Sequence, residues 1–278
     1  MKPGDFEYMR DLLKQKSGLI VNPDKVYLLE SRLTPLARTH GMESFDELIS
    51  KVRSSRDEKL IDEVTDAMTT NESFFFRDNT PFDILKKHVL PYLNKNKTDR
   101  KLRIWCAAAS SGQEPYSIAM ILKEQAHLWK DWDIEIFATD ISQKIITKAR
   151  TARYSQFEVQ RGLPIQMMMK YFRQESDGWF LNDDVKAMVR FEYMNLLEPF
   201  KQSGPYDIIF CRNVLIYFDQ MTKTQVLDSV SKVISKDGSL FLGAAETVLG
   251  ISDHFKPVKG QRGIYVPSAM DASLYGGI

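Results

Sequence analysis

The feature that most constrains the fold is a series of short, almost wholly apolar segments that begins near residue 100 and alternates with helical patterns. Strands this apolar fit a parallel sheet with helices on both faces, because a sheet with one solvated face would alternate apolar and polar residues. The sequence therefore predicts an α/β domain. The strand candidates are LRIWCAA (102–108), IEIFATD (134–140), VRFEYMNL (189–196), YDIIFCRN (206–213), SLFLGAA (239–245) and GIYVP (263–267), and the helix candidates are 115–129, 142–152 and 222–236. The last of these helices carries a capping box at Thr222-x-x-Gln225 and should stop at Gly238.

The first 70 residues predict helices only, because apolar residues recur there at amphipathic spacing. A second helix should begin at Asn22-Pro23, where Asn22 can cap free N–H groups, and Pro35 should kink or shorten it. Ser44-x-x-Glu47 is a capping box that should open the third helix. The apolar positions of the four helices are Phe6, Met9 and Leu13, then Val26, Leu29, Leu33 and Leu36, then Phe45, Leu48, Ile49 and Val52, and last Leu60, Ile61, Val64 and Met68.

Residues 155–190 interrupt the α/β alternation with Gln/Met-rich and then polar sequence. We interpret this stretch as a small inserted subdomain that is partly β. Its Met167-Met168-Met169 run is more often core filling than a binding surface, because the flexible methionine side chain fills irregular gaps.

Composition limits the classes of partner and site. With 43% hydrophobic residues, the 278-residue chain can bury one ordinary α/β core and carry a smaller domain beside it. Its 38 basic and 37 acidic residues leave a net charge of +1, so no global field favours nucleic acid or an anionic membrane. No window reaches the roughly 18 apolar residues that a bilayer span needs, and no signal core is visible at the N-terminus.

The potential metal ligands are few and scattered. Cys106 and Cys211 lie far apart, which favours a reducing compartment over a disulfide framework or a zinc site. The four histidines also lack ligand spacing. We therefore expect a cytoplasmic protein without a metal.

Residues that follow the strands are the first candidates for a site, because ligands of open parallel sheets bind at the carboxyl ends of the strands. The first strand leads into Ala107–Pro115, whose small residues let the backbone approach a ligand, although the missing G-x-G-x-x-G weighs against a dinucleotide. Asp140 ends the second strand and is either a ribose ligand or an ordinary helix cap. The pairs Asn195-Leu196 and Arg212-Asn213 follow the third and fourth strands, and each pair alone is more typical of a turn.

The segment Thr69–Asp78 joins the helical and α/β parts and mixes polar groups with three consecutive aromatic residues. Its plain interpretation is a packed linker between domains. Its position and its arginine, Arg77, also make it a candidate lid over a ligand.

Four motifs together resemble the CheR family of chemotaxis methyltransferases, which esterify glutamate side chains of bacterial chemoreceptors. The resemblance covers nearly the whole chain and implies a Rossmann-like class I S-adenosylmethionine methyltransferase fold with an N-terminal all-helical domain and a small inserted β subdomain. It also implies a helical receptor-docking domain at 1–70, a cofactor-covering linker at 71–80 and a methyltransferase domain at 81–278 that contains the insertion. The motifs are Thr70-Asn71-Glu72-Ser73-x-Phe75-Phe76-Arg77, Ala109-x-Ser111-Gly112-x-Glu114-Pro115-Tyr116-Ser117, Ala138-Thr139-Asp140-Ile141 and Phe210-Cys211-Arg212-Asn213-Val214-x-Ile216-Tyr217-Phe218.

The same resemblance assigns roles to individual positions. Arg77 and Tyr217 become the catalytic candidates, with Tyr217 near the transferred methyl group. The cofactor is S-adenosylmethionine, its product is S-adenosylhomocysteine, and no metal takes part. The implied cofactor contacts are Asn71, Ser73 and Arg77 of the linker, then Glu114 and Asp140, then Asn195, Leu196, Arg212 and Asn213 along the adenosine side.

The implied partner is the cytoplasmic helices of a methyl-accepting chemoreceptor, met by a basic helix that here carries Arg32 and Arg38. Pro35 makes this patch thinner than the family pattern, and a few charges on one helix are usually just a solvated face. The short acidic turn 173–178 resembles members that do not bind a receptor C-terminal tether peptide. We expect a monomer that neither binds nucleic acid nor inserts into membranes.

Three other interpretations remain. An enzyme of this architecture could methylate a small molecule, a nucleic acid or another protein. A non-catalytic module could bind S-adenosylmethionine and regulate a signalling partner, but such a module needs neither Arg77 nor Tyr217. A nicotinamide dehydrogenase is disfavoured because the phosphate-binding glycines are missing.

Overall fold

A computed structural model describes residues 3–55, 57–175, 177–200 and 204–271, and within it the chain divides into two units. The first unit combines Met1–Thr70 with Tyr217–Thr222, and the second combines Asn71–Ile216 with Lys223–Ile278. The helices are Pro3–Ser17 (α1), Val26–Thr39 (α2), Phe45–Ser55 (α3), Glu58–Met68 (α4), Thr80–Ile84 (α5), Leu90–Asn96 (α6), Gln113–Glu124 (α7), Gln143–Thr151 (α8), Gln156–Gln160 (α9), Ile165–Tyr171 (α10), Asp183–Lys186 (α11) and Gln220–Ser231 (α12). The strands are Lys101–Ala107 (β1), Asp133–Asp140 (β2), Arg153–Tyr154 (β3), Phe172–Glu175 (β4), Gly178–Leu181 (β5), Val189–Tyr193 (β6), Tyr206–Cys211 (β7), Ile234–Leu242 (β8), Phe255–Pro257 (β9) and Ile264–Pro267 (β10).

The first unit buries the apolar stripes of α1 to α4 against one another, as their spacing predicts. The start of α2 differs from the prediction. A 3-10 turn at Pro23–Lys25 precedes the helix, and the side chain of Asn22 makes no capping hydrogen bond. Pro35 does not shorten α2, which continues to Thr39. Pro35 is exposed, so the hydrogen bond that its missing N–H cannot form lies on the solvent side, where water can replace it.

The predicted capping box at α3 forms only in part. The Ser44 hydroxyl accepts a hydrogen bond from the Glu47 N–H at 3.2 Å, as expected. The Glu47 carboxylate, however, accepts from the N–H of Glu43 at 2.9 Å rather than from that of Ser44. The carboxylate therefore bonds the N–H one residue before the expected one, and the N–H groups of Glu43 and Glu47 both have acceptors.

The second unit is built on a sheet that, within the described residues, has seven strands in the order β6-β2-β1-β7-β8-β10-β9. The strands β6, β2, β1, β7 and β8 run parallel, and β10 pairs antiparallel with β8 and β9. Helices α7 and α8 pack against β2 and β6. The central strands are buried, with Ile104, Ile208 and Phe210 fully inaccessible to solvent, which confirms the α/β prediction.

Several predicted boundaries in this unit are wrong. The third strand ends at Tyr193 rather than 196, and the helix predicted at 222–236 instead begins at Gln220 and ends at Ser231. Its cap is Asp219, whose carboxylate accepts a hydrogen bond from the Thr222 N–H at 2.9 Å, so the capping box at Thr222 does not form. Gly238 lies inside β8 rather than at a helix end, at an irregular point of the β7–β8 pairing where a Cβ would approach Ile234 to 2.7 Å.

The sequence interpretation left some elements unassigned. Helices α5 and α6, with a π-helical segment at Leu85–Val89 between them, precede β1, and β9 follows β8. Among the residues that the structure describes, none of the helices has the length and apolar character needed to cross a membrane.

The inserted β subdomain is confirmed. Its three short strands, in the order β3-β5-β4, begin at Arg153, and α9 and α10 lie between β3 and β4. Met167 and Met168 pack partly buried against the core, as expected of gap-filling methionines. Met169 is instead 69% exposed and lies on the solvent side of α10, so the core-filling interpretation is wrong for this residue.

Candidate functional site

The loop between β1 and α7 passes close to the sheet because its backbone turns sharply. Ala108, Ser110 and Gly112 have positive φ angles of 60°, 51° and 91°. The N–H of Ala109 donates to the carbonyl of Thr139 at 2.8 Å, which holds the loop against the end of β2. A Cβ at Gly112 would lie 3.0 to 3.2 Å from neighbouring side chains, so only glycine fits this turn without displacing them.

Asp140 at the end of β2 is buried and fixes two loop backbones. One carboxylate oxygen accepts from the Ser110 N–H at 2.8 Å and the other from the Ser142 N–H at 2.9 Å. The cap of α8 is Ser142, whose hydroxyl accepts from the Ile145 N–H at 3.1 Å. The plain reading of Asp140 as the helix cap is therefore wrong, and its carboxylate lies between the loops that follow β1 and β2.

A buried ion pair connects the first turn of α7 to the end of β7. Arg212 follows β7 and donates through Nη1 to the Glu114 carboxylate at 2.8 Å. Both side chains are almost inaccessible, at 1% and 11% exposure. Burial raises the pKa of the Glu114 carboxyl above its usual value, and the guanidinium of Arg212 opposes that rise by favouring the carboxylate.

Arg212 also holds the candidate lid. Its Nη2 donates to the backbone carbonyl of Arg77 at 2.9 Å and to the Asp78 carboxylate at 2.7 Å. One buried guanidinium thus joins α7, the end of β7 and the linker. The sequence predicted a ligand contact for Arg212 and did not predict these internal bonds. Among the described residues, no acceptor meets its Nε–H, which is buried.

The linker is anchored along its whole length. The carbonyl of Asn71 accepts from the Ser110 hydroxyl at 2.8 Å, and the N–H of Phe76 donates to the Ser117 hydroxyl at 3.1 Å. Phe75 is fully buried in edge-on contact with rings of the inserted subdomain. Ser73 and Arg77 remain partly exposed, so the two interpretations of the segment, packed linker and lid, are compatible.

The remaining predicted contacts on this edge are Asn195 and Leu196, which follow β6 and are both buried. The Asn195 side-chain oxygen accepts from the Leu197 N–H at 3.1 Å, a local turn that fixes the amide. Asn195 therefore forms the turn that its sequence pattern indicates, and its amide is also buried at this edge.

Glu246 is a site residue that the sequence interpretation missed. Its buried carboxylate accepts four backbone hydrogen bonds, with Oε2 receiving the N–H groups of Asn213 (2.8 Å) and Gly243 (2.6 Å). Oε1 receives those of Val214 (2.9 Å) and Ile216 (3.3 Å). Asn213, with φ of 59°, is held in a left-handed turn by this arrangement. The only sequence signal is an acidic residue just after the β8 run, which many strands share.

The other candidates belong to the first unit. Tyr217 is half-buried, and its backbone carbonyl accepts from the Ile20 N–H at 3.0 Å. Arg32 is engaged at the end of α4, where its guanidinium donates to the carbonyls of Met68 and Thr69 and to the Thr70 hydroxyl at 2.6 to 3.1 Å. Arg38 on the same helix is exposed.

The chemistry of this edge suits an adenosyl ligand. Asp140 places a buried carboxylate beside the loop that follows β1, and ribose hydroxyls are donors of the kind that a carboxylate accepts. The unpartnered Nε–H of the buried Arg212 and the close backbone of the 108–112 loop lie on the same edge. Within the described ranges, no group of three or more His, Cys, Asp or Glu side chains could hold a metal ion, and both cysteines are buried free thiols.

Comparison with known proteins agrees with the two-part fold. Residues 71–264 match the family described as CheR methyltransferase, SAM binding domain, and residues 4–69 match its all-alpha domain. The chain is 38% identical over 264 residues to a chemotaxis protein methyltransferase of Pseudomonas putida, covering 94% of this chain and 96% of the relative. It is 39% identical over 266 residues to chemotaxis protein methyltransferase 1 of Vibrio cholerae, again covering 94% and 96%.

Solved structures match less of the chain. An O-methyltransferase from Nostoc punctiforme aligns with 55% of this chain and 35% of its own at a TM-score of 0.33 and 15% identity. A Rickettsia typhi structure named PKMT2, in complex with AdoHcy, aligns with 62% and 26% at 0.38 and 12%. The two family matches and the full-length relatives are sufficient: the chain belongs to the CheR methyltransferase family, with an all-helical domain followed by an S-adenosylmethionine-binding domain.

Proposed function

We propose that this methyltransferase forms glutamate methyl esters on the cytoplasmic helices of bacterial chemoreceptors, using S-adenosylmethionine as donor. The observation that carries the proposal is the buried Arg212, which ties Glu114 of the cofactor edge to the backbone of Arg77 and to Asp78. Such a tie gives the linker a fixed position in a domain of the S-adenosylmethionine-binding family. We expect the enzyme to work in the cytoplasm as a monomer without a metal.

Binding and alignment are the tasks of the side chains. When bound, S-adenosylmethionine supplies an electrophilic methyl group on a sulfonium centre. Asp140 would hold the ribose hydroxyls, Asn195 and Leu196 the adenine, Glu114, Arg212 and Asn213 the adjoining wall, and Asn71 and Ser73 the linker side. Alignment of two reactants in a dry site can supply about 7 to 11 kcal/mol.

The substrate side needs no general base. A glutamate side chain has a pKa of about 4.3 in model peptides and is already a carboxylate at neutral pH. Arg77 would hold one carboxylate oxygen by a charge-assisted hydrogen bond, and Tyr217 would orient the other. The grip should position the carboxylate without neutralising it strongly, because ground-state stabilisation would slow transfer.

The decisive experiment uses labelled S-adenosylmethionine, receptor-rich membranes and subsequent treatment with base. Methyl esters release labelled methanol in base, whereas N-methyl groups stay bound. Base-stable label on protein would indicate a different acceptor group. Absence of any transfer, with S-adenosylhomocysteine still bound, would favour a non-catalytic binding module.

Arg77→Ala tests the catalytic assignment in the same assay. We expect turnover on receptor to fall at least tenfold, since a charge-assisted hydrogen bond to the substrate carboxylate is lost. Arg100→Ala, a matched control at a 61% exposed arginine of the same unit, should leave turnover unchanged. Equal turnover of the Arg77→Ala and wild-type enzymes would refute the role of Arg77.

Receptor docking is assigned to α2. Tyr27 and Arg38 are eleven residues apart, about three helical turns, so they share one exposed face of this helix. Arg32 points its charge toward the end of α4, which leaves Arg38 as the stronger docking candidate. Arg38→Glu should raise the KM for receptor several-fold and leave the affinity for S-adenosylhomocysteine unchanged, while Lys51→Glu on α3 serves as the exposed control.

The short β4–β5 connection supports a tether-independent enzyme. Strands β4 and β5 pair Glu175 with Gly178, so only two residues of the sequence connect them, too few for an extended glycine-rich loop. We expect no measurable binding of a receptor C-terminal peptide by calorimetry. Saturable binding of that peptide would overturn this part of the proposal.

A further inference from the structure

The linker is a strained segment that needs external support. Phe76, Asp78 and Asn79 all have positive φ angles, of 53°, 69° and 47°. Non-glycine residues rarely adopt this left-handed conformation because it is sterically strained, so the segment depends on anchors to hold it. Arg212 and Ser117 bond the linker from the α/β core, and the inserted subdomain bonds it through Arg161.

Arg161, just after α9, makes the outer anchor. Its Nη2 donates to the Glu72 carboxylate at 2.6 Å, and its guanidinium carbon lies 4.2 Å from the centre of the Phe74 ring. The hydrogen bond and the charge of Arg161 lower the pKa of the Glu72 carboxyl, so this side chain is ionised at neutral pH. The following residue, Gly162, touches the linker backbone, because a Cβ there would lie 2.0 Å from the carbonyl oxygen of Phe75.

Arg77 uses the same two residues in a different way. Its Nη1 donates to the backbone carbonyl of Glu72 at 2.8 Å, and its guanidinium carbon lies 5.5 Å from the Phe74 ring centre. Two guanidinium groups therefore share Glu72 and Phe74, and Arg161 is the one that bonds the Glu72 carboxylate. Arg77 is close enough to interact electrostatically with that carboxylate as well.

We infer that Arg161 is a positioning residue that occupies the Glu72 carboxylate and so prevents Glu72 from neutralising Arg77. A guanidinium paired in the fork geometry with a carboxylate has few donors and little net charge left for another anion. With Arg161 in place, the hydrogen bond that Arg77 makes to Glu72 within the described residues goes to the neutral carbonyl and not to the carboxylate, which leaves the charge of Arg77 for an anionic ligand. The inserted subdomain thereby acts on the charge of Arg77 through the side chain of Arg161. This inference rests on the proposed role of Arg77.

The test compares Arg77→Ala, Arg161→Ala, Glu72→Gln and the double variant Arg161→Ala/Glu72→Gln. Affinity for S-adenosylhomocysteine is measured by calorimetry, and kcat and KM are measured with receptor. If Arg77→Ala impairs the affinity, kcat or KM, Arg161→Ala should impair the same quantity by about fivefold. Loss of an exposed ion pair has an effect of about this size. Glu72→Gln alone and the double variant should both lie within about twofold of wild type, because a neutral amide cannot capture Arg77.

Arg153→Ala is the matched control within the subdomain. Arg153 pairs with Asp177 and lies over the Phe180 ring at 5.5 Å, the same combination of ion pair and ring contact without a linker partner. It should leave both measurements unchanged.

The outcomes separate the two ideas. If Arg77→Ala has no effect on either quantity, the proposed role of Arg77 fails and the inference fails with it. If Arg77→Ala is impaired but Arg161→Ala equals wild type, only the inference is overturned. The inference is also overturned if the double variant is as impaired as Arg161→Ala, because Arg161 would then support the linker by packing alone.

Discussion

Glu246→Gln should destabilise the methyltransferase unit by about 3 kcal/mol. The carboxylate receives two backbone N–H groups on each oxygen: those of Asn213 and Gly243 on one, and those of Val214 and Ile216 on the other. A glutamine has one acceptor oxygen and one NH2 group, so either orientation of the amide leaves two donors facing a donor. Each buried donor without an acceptor costs about 1 to 3 kcal/mol, so the two together cost about 2 to 6 kcal/mol. The longest of the four bonds, 3.3 Å, puts the total in the lower half of the range for two donors.

Urea unfolding followed by tryptophan fluorescence measures this change cleanly. All four tryptophans, Trp105, Trp129, Trp132 and Trp179, lie in the second unit, so the signal reports that unit alone. The midpoint should fall while the slope with urea stays constant, since the surface exposed on unfolding is unchanged.

Glu198→Gln provides the control, because Glu198 is exposed and the substitution removes the same charge. It should change stability by no more than about 0.5 kcal/mol. If Glu246→Gln falls within the same range, the four hydrogen bonds do not hold the loop and the reasoning is wrong.

Two further predictions concern the inserted subdomain. Gly162→Ala should lower the free energy of unfolding by at least about 2 kcal/mol more than the control Gly260→Ala. Both glycines have positive φ (84° and 78°), but of the two only Gly162 would place its Cβ against backbone, at 2.0 Å. Equal losses in urea unfolding would show that the linker backbone moves to accommodate the added methyl group. Glu124→Gln should cost about 0.5 to 1 kcal/mol at pH 7, discounted for solvent screening, because Lys170 and Tyr171 donate to this partly exposed carboxylate at 2.6 and 2.5 Å. Hydrogen bonds from Lys170 and Tyr171 hold the pKa of Glu124 below its unfolded value, so its contribution is full above about pH 4.3 and is lost as the pH falls through the lowered pKa. The gap between variant and wild type should therefore narrow as the pH falls below about 4.3, and a constant gap would exclude the ion pair as its cause.

The strands and most helices could be predicted because their signals are local. The β1 and β2 candidates lie within one residue of the observed strands, since continuous apolar runs bounded by polar residues leave little choice of ends. The errors occur where a tertiary contact overrides the local pattern. Gly238 resembles a helix stop, yet β8 extends through it because Ile234 pairs with Tyr206 of β7.

The candidate site was predictable in position but not in its connections. Motif resemblance and the strand-end rule both indicate Asp140, and the structure places it between two loops. The partners of Glu246 lie 30 to 33 residues earlier in the chain for three of its four bonds, so no local pattern could identify it. Tyr217 follows β7 closely in sequence, yet it groups with the helices of the first unit.

Buried side chains that do not face solvent can shape the edge of a sheet at which a ligand binds. Arg212 commits Nη1 to Glu114 and Nη2 to the linker, and Glu246 commits both oxygens to backbone donors. What these buried charges control is the path of two loops, and through them the placement of Arg77 and Asn213. A lysine at position 212 would keep the charge but could not span three acceptors, because an ammonium lacks the planar fork that a guanidinium offers. In the proposed site, recognition would therefore depend on the geometry of the internal hydrogen bonds as much as on the groups that face the ligand.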